Sequence, residues 1–209
     1  MRRPTDGVLP MNISLSISYD ASTNFVYGLL LGCSREQGLY IIEQLRRLSG
    51  LAEHPLLLPI LLSGIQQRLI SEEVAKLWKE LLDVESHGGR SGITIVGVDR
   101  VVEETAQESI TEAVLSVLQL ATAWESEARA LLFGLELMEE ILSNKAAIGI
   151  PAYLSATSKF EILRESVQLI SQRTKIVLWD IEFIEKRASA QMDAVSRSLT
   201  ENTNSNISD

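Results

Sequence analysis

Between residues 160 and 198 apolar side chains recur with a period of seven. Phe160, Val167, Thr174, Ile181, Ala188 and Val195 form one series, and Leu163, Ile170, Val177, Ile184, Gln191 and Ser198 form the other. A stripe that repeats every 3.5 residues stays on one face only if the helix underwinds against a neighbour, so this segment is constrained to a long helix with coiled-coil-like packing. Ser158-Lys-Phe-Glu161 has the form of a capping box and sets the expected start, with the end near Leu199. Such a helix is on the order of 60 Å long. Phe160, Leu163, Val167, Ile170, Val177, Ile181, Ile184 and Ala188 are the candidate packing or oligomer seam. It weakens at Gln191 and Ser198, and the polar run 201–209 is expected to be a disordered tail. Two coverings for the seam stand side by side: the chain's own preceding helix, or a second copy.

Ahead of that helix the periodicity changes. Residues 12–20 alternate strictly, with Ile13, Leu15, Ile17 and Tyr19 on one side and Asn12, Ser14, Ser16 and Ser18 on the other, the pattern of a half-buried strand. Turn residues over 20–24 and a β-prone run from Phe25 to Leu31 complete a hairpin over 12–31. Leu39, Ile42, Leu45 and Leu48, with Ile41, mark an amphipathic helix over 36–49. His54-Pro55-Leu56-Leu57-Leu58-Pro59 opens a second helix over 59–84, because proline suits a first helical turn. Its stripe is Ile65, Leu69, Val74, Leu77, Leu81 and Val84, with Gly64 and Ser71 as points where it bends or splits.

Ser86 to Gly92 reads as a loop, and the β-branched run 93–98 as a third strand able to join the hairpin. Thr105-Ala-Gln-Glu108 caps a helical segment to about Asn144, along which Leu115, Leu118, Ala121, Trp124, Ala128, Leu131, Leu135, Met138 and Ile141 follow at threes and fours. The fold class that results is mainly α (α+β). A small N-terminal α/β part over 1–104 precedes a long helical hairpin or stalk over 105–200, built of long antiparallel helices, and the tail 201–209.

Composition narrows the function. The 209 residues carry a net charge of -9, which argues against nucleic acid, since phosphate binding relies on clustered Lys and Arg. Cys33 is the single cysteine, so no intramolecular disulfide forms, and a reducing, cytoplasmic setting is expected. We expect Cys33 itself to be a small buried hydrophobe. A membrane-spanning helix takes roughly 20 apolar residues, whereas the most apolar stretch, Leu56 to Leu62, is short and holds Pro59.

Catalytic signatures are missing from the sequence. There is no G-x-S-x-G elbow, phosphate loop, G-x-G-x-x-G or H-E-x-x-H motif. His54 and His87 are too few for a histidine-rich metal site. The adjacent carboxylates Glu72/Glu73, Glu103/Glu104 and Glu139/Glu140 point in different directions on a helix and read as solvated faces. No enzyme is expected.

Several short pieces occur in a familiar order. The strand ending Ser18-Tyr19-Asp20, then Gly28-Leu-Leu-Leu-Gly-Cys33, His54-Pro-Leu-Leu-Leu-Pro59 and Ile184-Glu-Lys-Arg187 with Gln191 together resemble a fungal family described as CorA-like, similar to the soluble part of divalent-cation channels. That resemblance implies a small sheet with helices followed by a stalk helix that oligomerises and leads into two membrane helices. It also implies Mg2+ or another divalent cation as the ligand to look for, with no residue assigned to it. The Gly-Met-Asn signature of the channels is absent, as are both membrane helices, so this chain by itself conducts no ions. Two readings follow, a soluble region whose membrane helices lie beyond residue 209 or a family member that has kept only the soluble part, and the first is preferred because a heptad helix that runs into a polar end looks interrupted. The expected function is a non-catalytic cytosolic regulatory or assembly domain of metal-ion transport, working through self-association or a protein partner. The alternative is a standalone helical interaction or signalling module.

Overall fold

The computed structural model describes residues 13–20, 22–23, 25–52, 54–91, 100–144 and 158–205. Two strands, β1 (Ser14–Asp20) and β2 (Phe25–Leu31), precede α1 (Arg35–Arg47), a 3-10 turn over Ser49–Leu51, and the long helices α2 (Leu57–Ser91), α3 (Arg100–Ser143) and α4 (Ser158–Ser205). The fold is mainly α with a two-stranded antiparallel N-terminal sheet, as the sequence led us to expect.

The hairpin pairs Ser14 with Leu31 through Asp20 with Phe25 in unbroken register. Its turn is organised by the Asp20 carboxylate, which accepts hydrogen bonds from the Ser22 backbone N–H at 2.9 Å, the Ser22 hydroxyl at 2.7 Å and the Thr23 hydroxyl at 2.8 Å. These donors favour the charged form, the Ser22 hydroxyl most, and hold the Asp20 carboxyl down at about 2. Gly32 leaves β2 with a positive φ of 81°, a conformation open to glycine at no steric penalty. Gly28 serves a different need: a Cβ there would lie 2.8 Å from Leu58 Cδ2, so its bare backbone lets the hairpin settle on α2.

A capping box starts α1. Ser34 Oγ accepts from the Gln37 N–H at 3.2 Å and Gln37 Oε1 accepts from the Ser34 N–H at 2.8 Å. The helix presents Ile41 inward, with Leu45 and Leu48 half-buried, while Leu39 and Ile42 face out. The expected stripe through 39, 42, 45 and 48 is therefore corrected. A spacing of three falls roughly 60° short of a full turn at each step, so a run of threes drifts across the helix surface.

All three long helices outrun their expected ends. The Ser86–Gly92 loop is replaced by helix as far as Ser91, α3 begins at Arg100, five residues before the expected cap, and α4 includes 201–205 of the expected tail. Helix continues through Gly88 and Gly89 although each glycine disfavours it by about 1 kcal/mol, a case of context overriding propensity. Neither Gly64 nor Ser71 splits α2. The expected boundary at 104/105 falls inside α3. The strand expected over 93–98 and the tail residues 206–209 lie outside the described residues.

The chain divides into two compact units, residues 1–69 with 130–174 and residues 70–129 with 175–209. In unit 1 the core draws on Ile41 of α1, Leu57 and Ile60 of α2, Leu131, Leu135 and Leu142 of α3, and Phe160, Leu163 and Val167 of α4. Polar residues Ser63, Gln67, Ser171 and Thr174 are also buried there, and Thr174 satisfies its hydroxyl by donating to the Ile170 carbonyl at 2.9 Å. Unit 2 is drier. Ile70, Val74, Leu77 and Leu81 of α2 are buried with Val114, Val117, Ala121 and Ala128 of α3 and Val177, Ile181, Ile184 and Ala188 of α4. Along α2 and α4 these positions alternate spacings of three and four, and along α3 they step by three, four and seven, the knobs-into-holes pattern. That pattern selects Val114 and Val117, so Leu115, expected in the stripe, is exposed instead.

Candidate interaction surface

The residues predicted as a seam are found on the inward face of α4. In unit 1 Phe160, Leu163 and Val167 are buried and Ile170 is half-buried. In unit 2 Val177, Ile181, Ile184 and Ala188 are buried, with Ile181 and Ile184 wholly out of contact with solvent. The single chain thus covers this face by itself.

The opposite face of α4 is also apolar, and sequence reasoning missed it. Trp179 is 72% exposed, Ile176 55% and Phe183 54%. The signal was available, since Ile162, Leu169, Ile176 and Phe183 recur every seven residues in their own register, offset by two from the buried Phe160 series.

Within unit 2 this outer face is built rather than merely bare. The Phe183 ring meets Trp78 of α2 at 5.5 Å between centroids, tilted by 46°. The Arg187 guanidinium lies 5.3 Å from the centre of the same Trp78 ring. It also forks onto Glu85, with Nε to Oε1 at 2.5 Å and Nη2 to Oε2 at 2.6 Å, a planar two-bond match that lysine lacks. Glu85 is mostly shielded, so the fork is less screened than a surface pair. An indole in contact with both a ring and a guanidinium of α4 loses little freedom on binding, the property that makes aromatic anchors effective in interfaces. Leu82, one turn beyond Trp78, adds exposed apolar surface on α2.

The α3 side of unit 2 is charged instead. The Thr122 hydroxyl reaches Glu185 at 3.5 Å, and burial together with nearby Glu125 raises the Glu185 carboxyl above its usual range. Glu125 pairs with Arg129, and Glu182 with Lys186, whose hydrogen bond holds Glu182 below its usual range. Glu125 and Glu182 thus each have a cation at hand, whereas Glu185 takes its hydrogen bond from Thr122.

Among the described residues of unit 1, His54 is the buried side chain left with an unsatisfied polar atom. Its Nδ1 accepts the Leu56 N–H at 3.2 Å just ahead of α2, so the neutral ring carries its proton on Nε2. That Nε2 is buried with no hydrogen-bond partner among the described residues, and the ring meets Phe160 edge-on at 6.1 Å. Burial pushes the imidazole below its ordinary value. Cys33, expected to be buried, is half-exposed beside Gly38.

Glu139, one of the adjacent carboxylates, accepts from Gln168 Nε2 at 3.1 Å, and Glu73 pairs with Lys76. Among the described residues no three His, Cys, Asp or Glu side chains converge as a metal site requires. No described helix is long and apolar enough to cross a membrane. Compared with known proteins, the chain matches no family model, no curated protein and no solved structure.

Proposed function

We propose that this chain is a non-catalytic regulatory or assembly domain that works by binding another protein, with the outer aromatic face of unit 2 as its recognition surface. The carrying observation is the exposed Trp179 together with Phe183, which meets a Trp78 ring that also lies against Arg187, itself anchored by Glu85. The face is one ridge of a helix, so its partner is an amphipathic helix that lays apolar residues at three- and four-residue spacing against Ile176, Trp179 and Phe183. The cytoplasmic setting suggested by the lone cysteine suits such a domain.

The test compares the wild-type chain with a Trp179→Ala/Phe183→Ala variant as baits in extracts of the source cells. A protein should be recovered whose capture depends on both side chains and which then binds the purified chain at one-to-one stoichiometry by calorimetry. If no protein's recovery changes, the reading fails.

A second reading keeps the kinship with CorA-like transporters, in which the domain senses Mg2+ or another divalent cation. What favours it is the order of elements, a small sheet and helices followed by a very long final helix. Thermal melting in millimolar Mg2+ or Ca2+ tests it, because a ligand that binds only the native state raises the midpoint by mass action. An unchanged midpoint removes cation sensing.

A further inference from the structure

The hairpin carries a second apolar surface, independent of the aromatic face of unit 2. On β2 the side chains of Phe25, Tyr27, Leu29 and Leu31 are 57% to 61% exposed. Across the register they sit beside Ser14, Ser16, Ser18 and Asp20 of β1, so the apolar stripe lies on β2 alone. The sheet has two strands, which leaves the far edge of β2 without a neighbouring strand among the described residues. Proteins guard such edges with lysine, proline, a bulge or a very short strand. This strand has seven residues, FVYGLLL, no charge, no proline and no break in register.

Charge selects the occupant. From residue 13 to residue 31 the only formal charge is Asp20, already engaged by Ser22 and Thr23 at the turn. A charged partner finds nothing here to pair with. A second copy meets an equally uncharged strand, although the chain as a whole carries -9 and repels itself elsewhere. The order of residues on β2 is also self-complementary about its centre. Antiparallel pairing about Gly28 sets Phe25 against Leu31 and Tyr27 against Leu29, aromatic against aliphatic at each outward position. Because the two-fold axis repeats every pair, one strand supplies both halves of the contact.

We propose that β2 is a dimerisation strand: it pairs antiparallel with β2 of a second copy about a two-fold axis at Gly28, making a four-stranded sheet with Phe25 opposite Leu31 and Tyr27 opposite Leu29. A dimer of this kind presents two copies of any partner-binding face, and so raises avidity toward a bivalent partner without a new contact.

Light scattering on the full chain should give twice 23.1 kDa at tens of micromolar, falling to the monomer on dilution. Tyr27→Lys/Leu29→Lys should weaken the dimer by at least about 10-fold, since it sets lysines in the centre of the new seam and like charges directly opposite destabilise. Both positions are exposed, so at concentrations where the wild-type chain is monomeric the variant should keep its melting midpoint. Register is tested by cross-linking in a Cys33→Ser background. Phe25→Cys mixed with Leu31→Cys should form a disulfide-linked pair under mild oxidation, and either variant alone should not. A monomer at 100 µM would overturn the proposal, as would a dimer indifferent to the lysines or one in which the 25/31 mixture fails to cross-link. Binding of a monomeric chain to phosphatidylcholine vesicles through Tyr27 and Leu29 would assign the strand to a membrane surface instead.

Discussion

Ile181 and Ile176 stand five residues apart on α4 of unit 2, yet one is sealed from solvent and the other more than half exposed. The inward stripe, Val177, Ile181, Ile184 and Ala188, has small and branched side chains spaced to interlock with α2 and α3. The outward stripe, Ile176, Trp179 and Phe183, is bulkier, more aromatic and spaced just as regularly. Hydrophobicity therefore does not distinguish the two faces; helical phase and side-chain type do. Branched aliphatics suit a tight three-helix interior, while an indole at 72% exposure has no such interior to fill and suits a partner.

The largest expected effect comes from exchanging the same residue for the same charge on either face. Ile181→Asp places a carboxylate where no solvent reaches and no cation waits, and should destabilise by more than about 4 kcal/mol. Ile184→Asp should do the same, and the double variant should lose its cooperative transition by circular dichroism. Ile176→Asp should stay within about 0.5 kcal/mol of wild type. Equal losses at 176 and 181 would erase the distinction between the faces.

Next in size is the support beneath the outer face. Arg187→Lys keeps the charge but loses the two-bond fork to Glu85 and the flat contact with Trp78, and should lower stability by about 1 kcal/mol, measured by urea denaturation. A matching rise in the mobility of the Trp78 ring, followed by NMR, would show that the fork holds the surface as well as the fold. No change in either would reduce the pair to an ordinary surface contact.

A contrast between the units follows from His54. The unfolded chain takes up a proton on this residue near 6.5, whereas the buried ring in unit 1 resists protonation until lower pH. Between those two values the unfolded state holds more protons, so stability falls as the pH drops below about 6.5. His54→Asn keeps an acceptor for the Leu56 N–H and cannot titrate, so the slope of melting midpoint against pH from 7.5 to 5.5 should flatten. Persistence of the full slope would place the acid sensitivity elsewhere.

How much of this was legible follows the same division. The heptad series at 160 and 163 marked the inward face of α4 because a buried stripe leaves a period in the sequence. The outward series at 162, 169, 176 and 183 leaves the same kind of period, and nothing in it says whether a residue faces a core or water. Arg187 and Glu85 lie 102 residues apart, so no local spacing announces their pairing. Helix ends were misplaced where glycines suggested a loop that the long helix ran through. The Ser34/Gln37 capping box, in contrast, is a local signal carried by a Ser and a Gln three residues apart.

The smallest expected effect on stability is the most informative about the outer face. Truncating Trp179 removes a large side chain whose surface is mostly in water already, so Trp179→Ala should shift the melting midpoint by no more than about 1–2 °C. Ile181→Ala deletes far fewer atoms but opens a cavity, and should cost about 3 kcal/mol. The order of these two is the reverse of their order in side-chain size. A Trp179→Ala loss as large as that of Ile181→Ala would mean the indole is packed in the native chain and the aromatic face is core. A small loss leaves a tryptophan that stability does not require, a side chain available to anchor a partner.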